Sequence, residues 1–240
     1  MAKKYTDYLQ DYLDAAEVLH YGTNKEFDLL LFGSEKRSGI SEKCLPYLYR
    51  KGKLKRTNLG KQFVYMPRRV RNTNEMYPKL KHYVECARCL ARIWRSMPEG
   101  EIIPEREFFG LGCIPEWAIW YPGGTILPGE FCTESNYRYG GLLRGKIDAY
   151  QRHLPQMEAK FGAEAVVLFV IDMPRETVIN YVATKNALSA RSASLRHDGD
   201  TFPSLPLRFV DYKTFLSVPI GTALQSKIYI YANGEIDSLV

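Results

Sequence analysis

Between Lys36 and Arg71 the chain carries twelve cationic residues (Lys36, Arg37, Lys43, Arg50, Lys51, Lys53, Lys55, Arg56, Lys61, Arg68, Arg69 and Arg71) and one carboxylate, Glu42. The whole 240-residue chain has a formal net charge of only +6, so everything outside this stretch is net acidic. Charge gathered so densely in one place points to a polyanion partner. The bland alternative is a solvated basic face, and the near-absence of acids among these cations argues against it.

The residue pattern inside the stretch narrows the reading. Ser41 is a candidate N-cap for a helix through Leu45, Leu48 and Tyr49, and Gly52 stands where helices end. Pro46 falls inside that helix, at a cost of roughly 3 kcal/mol unless it lies in the first turn or kinks the helix. Lys53 to Arg56 then reads as a strand, Thr57 to Gly60 as a turn, and Gln62 to Met66 as a second strand stopped by Pro67. Upstream, Tyr8, Tyr12, Ala15, Ala16 and Leu19 recur at helical spacing, and Thr23 and Glu26 form a capping box opening a second helix that ends at Gly33.

Three helices followed by a basic hairpin are the pattern of a winged helix-turn-helix over residues 1–70. In such a domain Lys36, Arg37, Ser38, Ser41 and Lys43 would lie at the recognition helix on double-stranded DNA. Lys53, Lys55, Arg56, Lys61, Arg68 and Arg69 would reach adjacent phosphates from the wing, with Glu42 the candidate acceptor for a cytosine amino group.

The polar stretch Arg68 to Tyr77 reads as a connection, with a second domain over residues 78–240. The expected order there is a helix from Lys79 to Ser96, a three-strand meander (Glu101 to Phe109, Glu116 to Tyr121, then Ile126-Leu127 with Glu130 to Thr133), and a helix from Tyr139 to Phe161. A buried strand, Ala165 to Ile171, a helix, Arg175 to Ala190, and an edge strand, Leu207 to Leu216, follow. The fold class is thus α/β. The longest purely apolar run, Ala165 to Ile171, is far short of the ~20 residues that span a bilayer. With five scattered cysteines, the expectation is a reduced cytoplasmic protein without membrane contact, a homodimer if its DNA site is palindromic.

That order of elements, with Pro115-Glu116 opening one strand and Glu130-Phe131-Cys132 in the next, resembles the PD-(D/E)XK restriction-endonuclease-like fold. With a winged helix in front and the run from Glu130 through Arg144, Lys146 and Tyr150, the chain looks like a divergent member of the replication-relaxation family of plasmids and integrated mobile elements. The resemblance implies a role in replication, transfer or transcriptional control. It also implies two carboxylates on neighbouring strands that hold Mg²⁺, and a lysine two residues after the second that polarises water. Glu116 and Glu130 stand for the carboxylates and Glu85 for a third, but the lysine position is Cys132. A thiol supplies no ammonium charge, so cleavage would need a migrated base, Arg144 or Lys146. The expectation is DNA binding without cleavage and without a cofactor; an active Mg²⁺-dependent endonuclease or nickase using Glu116, Glu130 and Lys146 is the alternative.

His82, Cys86 and Cys89 share a helix face at i, i+4 and i+7, a weak candidate for a metal centre. The same spacing is that of a buried stripe with Leu90 and Ile93, which is the favoured reading.

Overall fold

A computed structural model describes residues 4–34, 39–70, 77–133, 142–173, 207–220, 228–230 and 236–238. The chain forms two compact units, Met1–Ile102 and Ile103–Val240.

In the first unit a 3₁₀ turn, Tyr5–Tyr8, leads into α1 (Leu9–Leu19), where a single helix was expected from Tyr5. Helix α2 (Asn24–Phe32) starts at the Thr23–Glu26 capping box and stops at Gly33, whose φ of 71° is left-handed. Helix α3 (Ser41–Arg50) accommodates Pro46 within it. Strands β1 (Leu54–Leu59) and β2 (Gln62–Pro67) form an antiparallel hairpin closed at Gly60 and Lys61, so β1 runs through the expected turn. A bridge joins Gly22, between α1 and α2, to Tyr65 on the free side of β2.

Helix α4 (Tyr77–Ser96) also belongs to this unit, although the sequence reading opened the second domain at Pro78. Its stripe explains why: Leu80 and Val84 pack on Val64 and Met66 of the hairpin, and Ala87 and Ala91 join the core of α1, α2 and α3. Arg88 ties α4 to the fully buried Glu26 of α2 at 2.6 Å. The last two residues of the unit form a short strand, β3 (Glu101–Ile102).

The second unit opens on a 3₁₀ turn, Glu105–Phe108, where sequence periodicity had suggested strand up to Phe109. Strands β4 (Trp117–Tyr121) and β5 (Thr125–Thr133) are antiparallel; β5 is continuous through Pro128 and Gly129, which the expected strand had skipped. Helix α5 (Leu142–Phe161) returns the chain to β6 (Glu164–Ala165) and β7 (Val167–Asp172), both parallel to β5. Pro128 has no N–H to give a ladder, and it stands where the partner of β5 changes from β6 to β7.

Strand β8 (Leu207–Asp211) lies parallel to β7 and carries β9 (Ile228–Ile230) and then β10 (Ile236–Ser238) on its other side, so it is not an edge strand. Residues 212–216, read as its continuation, fall in a short helix, α6 (Tyr212–Ser217), capped by the Asp211 carboxylate. The expected helix from Arg175 to Ala190 lies outside the described residues. Strand β7 is buried along both faces, as its unbroken apolar run requires. Among the described residues no helix is long and apolar enough to cross a membrane.

Candidate functional site

Strand period places the acidic residues of the second unit. Glu116 lies in register with Ala118 and Trp120, and Glu130 with Ile126 and Cys132, and these neighbours all pack in the core beneath α5. Both carboxylates therefore face the helix.

The backbone then brings them side by side. The N–H of Glu116 donates to the Gly129 carbonyl at 3.0 Å as a last rung beyond β4. The Phe131 N–H, which has no further β4 residue to meet, donates to the Glu116 carboxylate at 2.7 Å. Glu116 thus caps the open end of the ladder with its side chain.

This close pairing of strands depends on Gly129. A Cβ there would sit 2.0 Å from the indole of Trp117, the residue directly across the ladder.

Helix α5 supplies the cation. Lys146 donates to Glu116 at 2.8 Å and also to Glu130, and Tyr150, one turn later, donates to the other oxygen of Glu130 at 2.8 Å. All four carboxylate oxygens therefore have a donor. The Glu130 side chain is 2% exposed, whereas those of Glu116 and Lys146 keep 19% and 28%, so the cluster meets solvent through these two.

Two carboxylates share one ammonium, and the one buried deepest titrates away from its ordinary range. Burial lifts the Glu130 carboxyl from its ordinary range to about 7, with Lys146 pulling the other way and Glu116 pushing it further up. Lys146 is raised by the two carboxylates although its burial opposes this. Cys132, at the lysine position of the resemblance, is fully enclosed, and burial drives its thiol well above the usual range. Burial also lifts Cys113, to about 11. Both thiols hold their protons at neutral pH, which disfavours either sulfur as a nucleophile.

A raised carboxyl favours the folded state when protonated. Its contribution is fully present below the ordinary carboxylate range and is lost as pH rises through about 7. Lys146 keeps its charge across that window and does not bend the curve. Relative to a Glu130→Gln variant, the wild-type protein is expected to lose up to about 3 kcal/mol between about pH 4.5 and pH 7. Urea unfolding of both proteins across that range measures it; parallel curves would show that Glu130 titrates normally.

In the first unit the basic residues from Lys43 to Arg69 divide into two sets. Lys43, Arg50, Lys51, Lys53 and Lys61 are exposed, the first three on α3 or its C-terminus and Lys61 at the hairpin tip. Lys43 and Arg50 are two turns apart, hence on the same side of the helix. The others are engaged internally. Lys55 donates to the Val70 carbonyl and Arg68 to that of Gly52. Arg69 pairs with Glu17 at 2.6 Å, both of them exposed. Arg56 lies 4.3 Å from the Tyr49 ring and 4.0 Å from that of Phe63. Ser41 is a correction to the expected contact set: it is fully buried, its hydroxyl donates to Asp28 at 2.8 Å, and Ile40 is the N-cap. Lys36, Arg37 and Ser38 lie outside the described residues.

Compared with protein-family models, with curated proteins and with solved structures, the chain matches none.

His82 and Cys86 do approach each other, at 3.5 Å, but among the described residues Cys89 does not complete a ligand cluster with them and is fully buried. Glu85 is held by Arg88 at 3.2 Å within the first unit. Tyr150 was named in sequence without a role. The signal that would have found it is a Lys and a Tyr four apart on a helical stripe otherwise carrying Ile147, Leu154 and Met157.

Proposed function

We propose that the chain is a double-stranded DNA-binding protein of a plasmid or integrated mobile element, acting in replication, transfer or transcriptional control. On this reading the first unit is a winged helix and the second a restriction-endonuclease-like α/β domain. The observation that carries it is the set of exposed cations on α3, its C-terminal end and the hairpin, Lys43, Arg50, Lys51, Lys53 and Lys61. The Gly22–Tyr65 bridge supports it too, because a third segment beside the hairpin holds the wing against the helices.

Five phosphate contacts correspond to a slope of about −4.5 in log affinity against log salt. The expected result is duplex binding at low salt with a slope near that figure, reduced by about one for each of Lys43→Ala and Lys61→Ala. No duplex binding even at low salt would overturn the reading and favour a protein-interaction domain.

The convergence of Glu116, Glu130 and Lys146 favours a second reading, Mg²⁺-dependent cleavage. One ammonium already touches both carboxylates, so Glu116 and Glu130 converge closely enough that these two residues would hold a divalent cation. Mg²⁺ held by Glu116 and Glu130 would supply charge to a phosphate and acidity to a bound water. Lys146 would then hold its charge beside the phosphate, and Tyr150 would orient Glu130. Only on this second reading is Mg²⁺-dependent cleavage, lost in Glu130→Ala, the outcome of a plasmid-nicking assay; the first reading expects none. No cleavage with Mg²⁺ or Mn²⁺ leaves the cluster a structural ion pair and the protein a binder.

A further inference from the structure

Phe63 is 45% exposed and Tyr49 38%, two of the large apolar side chains that the fold leaves in solvent. Phe63 lies near the hairpin tip, paired across the ladder with exposed Asn58, where no core needs an aromatic ring. Its position is nevertheless set, because Arg56 lies over it at 4.0 Å and over Tyr49 at 4.3 Å. A cation against an aromatic face is stabilising and here holds both rings in place ahead of any ligand. Exposed Lys61 at the same tip, with exposed Arg50 and Lys53 one and four residues beyond Tyr49 in the chain, provides cations for a phosphate backbone.

Resting on the nucleic-acid reading of this unit, we propose that the Tyr49–Arg56–Phe63 stack is a platform for an unpaired base of a DNA single strand. A duplex hides its base faces, so an exposed ring gains contact only where a base is free to stack. The neighbouring lysines then hold the backbone that carries that base.

The test is fluorescence anisotropy at one salt concentration with labelled oligothymidylate and with a blunt duplex. Phe63→Ala is expected to weaken oligothymidylate binding about ten-fold or more and to leave duplex binding within about two-fold, which also shows that the variant is folded. Phe63→Tyr, which keeps the ring, is expected to bind oligothymidylate as the wild type does. Equal losses on both probes, no loss on oligothymidylate, or a loss in Phe63→Tyr overturns the proposal. Wild-type protein that binds duplex but not oligothymidylate overturns the stacking role alone, whereas binding to neither removes the DNA reading with it.

Discussion

Replacing Lys146 with Met is expected to lower the unfolding free energy by about 3–5 kcal/mol near neutral pH, since it leaves two carboxylates facing each other without their shared cation. Met keeps most of the lysine stem, so the loss reports charge and not a cavity. The chemistry of the cluster makes the effect depend on pH. Without the ammonium, Glu130 takes up a proton more readily, and below its raised range near 7 the repulsion with Glu116 is relieved. The loss is therefore expected to be largest at about pH 8 and clearly smaller at about pH 5, and Glu130→Gln in the same chain should restore part of it. Chemical unfolding of the single and double variants measures this. A loss under about 1 kcal/mol at every pH would mean that water already screens these carboxylates as it does surface pairs.

Gly129→Ala is expected to cost at least about 3 kcal/mol, the upper end of what overpacking a core takes. The added methyl would lie 2.0 Å from an indole that is itself only 4% exposed, so neither side can give way cheaply. Moving β4 off β5 also draws Glu116 away from the Phe131 N–H and from Lys146, so the substitution disturbs the charge cluster without touching it. Trp117→Leu in the same chain is expected to recover part of the loss, because the two changes share one space. Thermal unfolding of both variants decides it: Gly129→Ala at wild-type stability would show that the strands are not held this close.

The two sites were legible to different degrees. Thr23 and Glu26 announced a helix start and Gly33 its end, because capping is settled within a few residues. Glu116 and Glu130 were legible as candidates from their place in successive strand-like runs. Ser41 was misread for a physical reason: a serine before a helix looks like a cap, and only the arrival of Asp28 from α2 shows that its hydroxyl is spent inside. The partition of the cations was equally hidden, since Lys55 and Arg68 meet carbonyls fifteen and sixteen residues away in the chain.

The sequence by itself determined the helices and the hairpin of the first unit, the buried strand Val167–Asp172 and the clustering of positive charge, all of them consequences of local preference and periodicity. Tertiary structure alone decided that Lys146 and Tyr150 meet Glu130, that Gly129 makes room for Trp117, and that α4 belongs with the helices before it. The physical reason is that a contact between residues far apart in the chain is chosen by packing. Packing is a property of the assembled core, and no short stretch of sequence carries it.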